Sequence, residues 1–230
     1  MPLVDHLSEL RRRIIWSALA VGVGAAIGFA AGEPVIAFLR AALPAGTPAL
    51  VFTSMGDPFA IRLRIAFVLG IILAMPVLLY QLWAFVAPGL TPSEKRTLRP
   101  WIPLALFFFV LGVTVAWIIL PFAIQFLLAF TDDTTLIATL AAPPYFDFVT
   151  TMFLVFGLLM EFPIVLYAFA RVGIVSSTRL RSSRRMVILG IAIFSAIATP
   201  GGDLVSPTVL GITMYVLFEL TIVAIRRSGR

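Results

Sequence analysis

Glu161 lies fourteenth in the uncharged run that begins at Phe148, and ten residues before Arg171. At about 1.5 Å of helix per residue it sits about 15 Å inside the charged edge of that run. In a bilayer this is near the centre, where an ionised acid costs at least about 2.5–3.5 kcal/mol. Two readings follow: a carboxyl that meets a polar or charged partner inside the membrane, or a protonated acid hydrogen-bonded to a neighbouring helix. Pro163 follows two residues later and is expected to bend the helix there.

Glu9 and Glu94 form a second theme. Glu9 stands in Pro2-Leu3-Val4-Asp5-His6-Leu7-Ser8-Glu9-Leu10-Arg11-Arg12-Arg13, which as a helix places Leu3, Leu7 and Leu10 on one stripe. Such an amphipathic helix is expected to lie along the inner membrane surface. Glu94 stands in Leu90-Thr91-Pro92-Ser93-Glu94-Lys95-Arg96, a charged turn between two apolar runs. A carboxylate at headgroup depth could receive a guanidinium in bidentate fashion. Spacing alone supports the simpler account, in which both glutamates balance the arginines beside them.

The remaining polar candidates read as structural. Asp203, in Thr199-Pro200-Gly201-Gly202-Asp203-Leu204-Val205-Ser206-Pro207, is placed to cap a helix, with Ser206-Pro207 a competing cap. Glu219 lies seven residues before Arg226, close enough to an edge for its carboxylate to snorkel. His6 is the only histidine and there is no cysteine, so no metal site or thiol chemistry is expected. No phosphate-binding glycine loop, nucleophile–His–acid set or pair of membrane aspartates is present, because Asp5, Asp57, Asp132, Asp133, Asp147 and Asp203 all fall in or beside loops. The chain is expected not to be an enzyme and to carry no cofactor.

These residues sit in a chain that composition assigns to a membrane. Of its 230 residues 61% are apolar and 12% charged, with a mean hydropathy of +1.08, whereas a soluble domain runs nearer about 45–50% and about 25%. The charge of +6 gathers in short loops rather than on a basic face with interleaved aromatics, which argues against nucleic acid. An all-α fold of six transmembrane helices is expected, in one domain over 1–230, with spans at about 14–32, 65–88, 101–122, 148–170, 186–198 and 205–225. The fifth is short. The longer outer connections are Glu33–Leu63 and about Ala123–Asp147, and Pro34–Leu39 reads as a short surface helix. The first apolar run exceeds a secretory signal core and reads as an uncleaved span. Basic residues 11–13, 95, 96, 99, 171, 179, 181, 184, 185, 226, 227 and 230 fall on one side, against Arg40, Arg62 and Arg64 on the other. The positive-inside rule then puts both termini in the cytoplasm.

Taken together the motifs resemble the TatC family, the multispanning receptor of the twin-arginine protein translocase. His6-Leu7-Ser8-Glu9-Leu10-Arg11-Arg12-Arg13 is similar to that family's His-Leu-x-Glu-Leu-Arg-x-Arg opening. Pro76 to Leu90, including Gln81-Leu82-Trp83-Ala84-Phe85, resembles its second span and inner loop, with Glu94 at the family's spacing. Phe156 to Pro163 carries its Glu-x-Pro motif, Ala198 to Asp203 its last outer loop, and Met214 to Glu219 its last span. Ser206-Pro207 stands where the family often has Ser-Gln, and Thr213 where it often has proline.

The resemblance implies a concave bundle in the cytoplasmic (inner) membrane of a prokaryote. It implies a Sec-independent translocase subunit that binds twin-arginine signal peptides of folded cargo, recruits TatA- and TatB-type single-span partners, and draws on the proton-motive force. Copies of the chain would associate within that receptor complex. Glu9 and Glu94 would contact the arginine pair with Phe85 shaping the site. Glu161 would meet the inserted signal or a partner helix, and Asp203 and Pro44 would serve assembly or transport. The competing reading is a small-solute or proton-coupled transporter using Glu161, which would call for further polar residues at mid-depth or an inverted repeat.

Overall fold

The computed structural model describes residues 3–44, 46–47, 49–130 and 140–227; Asp132, Asp133 and Arg230 lie outside them. The described chain is all-helical apart from one isolated parallel bridge, Val51 to Ala141. Ten α-helices follow in order: α1 Leu3–Ala30, α2 Gly32–Arg40, α3 Asp57–Val86, α4 Pro92–Leu98, α5 Trp101–Leu128, α6 Ala142–Leu159, α7 Phe162–Arg171, α8 Ser177–Ser182, α9 Arg184–Ala198 and α10 Val205–Arg227.

Five helical stretches are long and apolar enough to cross a membrane: Asp5–Ala30, Asp57–Gly89, Trp101–Leu128, Ala142–Arg171 and Val205–Arg227. α9, with 15 residues, falls short of the roughly 20 that a full crossing takes. Several boundaries differ from the sequence expectation. α3 begins at Asp57, α5 runs on to Leu128 and α6 begins at Ala142, so the connections before α3 and between α5 and α6 shrink and Arg62 and Arg64 lie on a helix. Asp57 explains the early start: its Oδ2 accepts the Thr53 and Ser54 N–H groups, both at 2.8 Å. The separate surface helix expected before Ile14 is not formed. No glycine or proline interrupts 3–21, and α1 continues unbroken through the arginines into the apolar run.

The helices pack as a row rather than a ring. α1 lies chiefly on α3, α3 packs on α5 and α6, α5 on α6, and α10 bridges α5, α7 and α9. The α1–α3 crossing is close because it is built from glycine: a Cβ on Gly70 would stand 2.7 Å from the Ala25 nitrogen and 2.8 Å from the Val21 carbonyl oxygen. Small residues at such crossings let backbones approach and gain dispersion contact where lipid offers no hydrophobic drive.

Two apolar clusters mark the two ends. The larger joins α2 and the start of α3 to α5, α6 and α10 through Leu39, Ile65, Leu120, Val149, Phe156 and Leu210. Tyr145 pins α2 to it by donating to the Leu39 carbonyl at 2.6 Å. The smaller joins Leu90 and Leu98 around α4 to Tyr167 of α7, Leu180 of α8 and Phe218, Ile222 and Ile225 of α10. Trp101 stacks on Tyr167 there, with centroids 3.7 Å apart. The turn carrying Glu94, the α7–α9 connection and the end of α10 therefore share one end of the bundle.

Candidate functional site

At that same end the start of α1 meets the end of α3. The His6 and Phe85 rings stack with centroids 4.5 Å apart and planes inclined by 21°. Farther along α1, Arg13 donates through Nη2 to Glu9 Oε1 at 3.1 Å and through Nη1 to Gln81 Oε1 at 3.0 Å. The Glu9 side chain is 14% exposed, so this pair is more sheltered than a surface ion pair and is screened less by salt. Glu9 and Phe85, two of the expected site residues, are thus brought together by the α1–α3 packing. Gln81 completes the group, and its signal in the sequence is a single amide between Tyr80 and Leu82 in an apolar span.

Glu94 sits beyond the short 3₁₀ turn Ala87–Gly89, in the first turn of α4. It forms a reciprocal capping box: Thr91 N–H and Oγ1–H donate to Glu94 Oε2, both at 2.8 Å, and Glu94 N–H donates back to Thr91 Oγ1 at 3.4 Å. The carboxylate is held at the charged edge of the bundle by its own turn. Both glutamates also satisfy the structural account, one as an arginine partner and the other as a cap.

Glu161 occupies the break between α6 and α7. Pro163 has no N–H to continue the ladder, so the chain turns at Met160–Glu161 and the Glu161 carbonyl starts the next helix by accepting from Ile164 and Val165. The expected bend is an interruption of the helix. Glu161 Oε1 is buried with no hydrogen-bond partner among the described residues. An unsatisfied carboxyl oxygen in such a place is costly unless a partner from outside the chain supplies a donor.

Asp203 and Pro44 lie at the far end. Asp203, only 3% exposed, caps the start of α10 by accepting the Ser206 N–H on Oδ1 at 2.6 Å. The competing Ser206 cap is not used: the helix has already begun at Val205, and the Ser206 hydroxyl is buried without a partner among the described residues. Gly201 and Gly202 supply the left-handed turn before it, with φ of 99° and 71°. Pro44 closes a turn by accepting both the N–H and the hydroxyl of Thr47. Glu219 does not snorkel alone: Arg184 of α9 pairs with it and the Tyr215 hydroxyl donates to it at 3.2 Å. The position of Thr213 does not break α10, which is continuous through it.

The family model described as Sec-independent protein translocase protein (TatC) matches residues 5–212. The chain belongs to the TatC family. The TatC protein of Desulforapulum autotrophicum is 36% identical, over the whole of this chain and 86% of its own length. TatCy of Bacillus subtilis is 32% identical, over the whole chain and 91% of its own. A crystal structure described as the twin-arginine translocase receptor TatC in DDM superposes with a TM-score of 0.83 at 34% identity, covering 96% of this chain and 99% of that one. This TatC chain is a multi-pass inner-membrane component of the Sec-independent protein translocase.

Proposed function

We propose that this TatC chain is the subunit that receives twin-arginine signal peptides at the cytoplasmic face, with both termini on that side and α9 as a short sixth crossing. The charge distribution supports the orientation: the end that carries Glu9 and Glu94 also holds the basic residues of α4, α8 and the end of α10. The observation that carries the receptor reading is the sheltered Glu9 carboxylate, already holding one guanidinium, Arg13, beside the His6–Phe85 stack. A site that accepts an internal guanidinium has the chemistry to accept an incoming one. Two arginines arriving from water at headgroup depth pair with Glu9 and Glu94 without entering hydrocarbon. Lysine keeps the charge but loses the planar fork, which makes recognition strict for arginine.

The apolar part of the signal then lies along the bundle, and Glu161 at the helix break meets a polar group of the inserted signal or of a TatA- or TatB-type helix. Asp203 and Pro44 fix the outer turns on which assembly depends. Energy comes from the proton-motive force. The test is site-specific photocrosslinking from positions 94 and 9 to a twin-arginine signal peptide in membranes, with a twin-lysine peptide as control. Adducts that vanish with lysine support the reading; equal adducts with both peptides return the two glutamates to charge balance and capping.

A further inference from the structure

Where α8, α9 and the end of α10 meet, a recess of about 430 Å³ is lined by Arg181, Arg184, Arg226 and Arg227 around Glu219. The one carboxylate there is already engaged by Arg184 and by the Tyr215 hydroxyl. Among the described residues Arg181, Arg226 and Arg227 form no ion pair, so the recess keeps three uncompensated guanidiniums. Arg184 adds a fourth donor: its Nε is buried with no acceptor. Several convergent N–H donors with net positive charge call for an anion bearing several acceptor oxygens, and guanidinium forks match phosphate.

The walls decide which phosphate. Ile222 and Val223 line the recess, and Val216, Leu220 and Val223, at 50%, 59% and 48% exposure, continue it as one apolar stripe along α10 at spacings of four and three. Arg226 and Arg227 end the apolar crossing Val205–Arg227, which sets the recess at headgroup depth with the stripe running into hydrocarbon. We propose that this recess is a binding site for an anionic phospholipid, its phosphodiester held by Arg181, Arg184, Arg226 and Arg227 and an acyl chain lying on Val216, Leu220 and Val223. A basic pocket between membrane helices beside an apolar track is the arrangement such headgroups take. The site is separate from Glu9, Glu94 and Glu161, and its failure leaves the signal-peptide reading untouched.

The test is native mass spectrometry of the full chain in a neutral maltoside detergent, with dioleoyl phosphatidylglycerol and dioleoyl phosphatidylcholine as matched probes. Phosphatidylglycerol is expected to be retained in preference. Arg181→Gln with Arg227→Gln should weaken that retention about 30-fold, at about 1 kcal/mol for each basic residue near a membrane surface, while phosphatidylcholine stays unchanged. Arg181→Lys with Arg227→Lys should keep part of the preference, because charge survives and the fork does not. If the double Gln variant does not fold, the wild-type lipid comparison and the single Arg226→Gln variant decide. Equal retention of the two lipids, or phosphatidylglycerol retention indifferent to the substitutions, overturns the proposal. Complete displacement by inorganic phosphate also overturns it, since the site would then belong to a free anion.

Discussion

Arg13 of α1 and Gln81 of α3 are joined by a 3.0 Å hydrogen bond across 68 residues of sequence, and the same guanidinium holds Glu9. Gln81 therefore fixes where the Glu9 carboxylate points, although it carries no charge. Gln81→Leu should destabilise the protein by about 1 kcal/mol, the net value of one partly buried hydrogen bond. It should also weaken binding of a twin-arginine signal peptide, because the guanidinium that orients Glu9 loses its second acceptor. Thermal unfolding in detergent and peptide titration check this, and unchanged binding would contradict it.

The Thr91–Glu94 capping box separates two roles that one carboxylate carries. Glu94→Gln keeps a hydrogen-bonding group at the third helical position and removes the charge, so stability should change by less than about 0.5 kcal/mol. Signal-peptide affinity should fall about 10-fold or more, the scale of a lost hydrogen bond to a charged group. Thr91→Ala should do the reverse, costing about 1 kcal/mol of stability through the lost cap while leaving the charge in place. If Glu94→Gln binds the twin-arginine peptide as wild type does, Glu94 is a cap and nothing more.

What the chain discloses by itself is whatever depends on local pattern. Apolar runs announce helices of membrane-crossing length, Pro163 announces a break beside Glu161, and Asp203 before a helix start announces a cap; each is present in the structure. Helix ends are less legible, because Arg62 and Arg64 read as residues of the connection before a span that starts at 65. In fact Arg64 is absorbed by α6, pairing with Asp147 at 2.7 Å and donating to Thr150 and Thr151. The pairings Arg13–Gln81 and Arg184–Glu219 were not legible at all. They depend on how α1 registers on α3, and α9 on α10, which is set by side-chain packing between distant segments rather than by either segment's periodicity.

The Gly70 crossing sets that register for α1, and it leaves no room for a side chain. Gly70→Val should push α1 from α3, since even the first added carbon meets the Ala25 and Val21 backbone. Overpacking of this kind costs about 1–3 kcal/mol, and the displacement should also carry His6 off Phe85 and Arg13 off Gln81. The expected outcome is a lower unfolding midpoint together with lost crosslinking from position 9. Gly22→Val on α1, where an added Cβ meets nothing within 4 Å, should do neither.

Glu161 makes the opposite prediction about stability. Its Oε1 is buried without a hydrogen bond among the described residues, so removing the carboxyl breaks no bond within them at that atom and relieves a buried polar group. Glu161→Ala should therefore leave the isolated protein as stable as wild type, or more so. If the carboxyl awaits a donor from another helix, the same variant should lose association with TatA- or TatB-type partners or with the inserted signal. Glu161→Gln, which still offers a carbonyl acceptor, should retain part of it. Co-purification with the partners and unfolding in detergent, measured on the same preparations, separate these effects. A variant that is destabilised yet still associates would mean that Glu161 serves the fold and not the assembly.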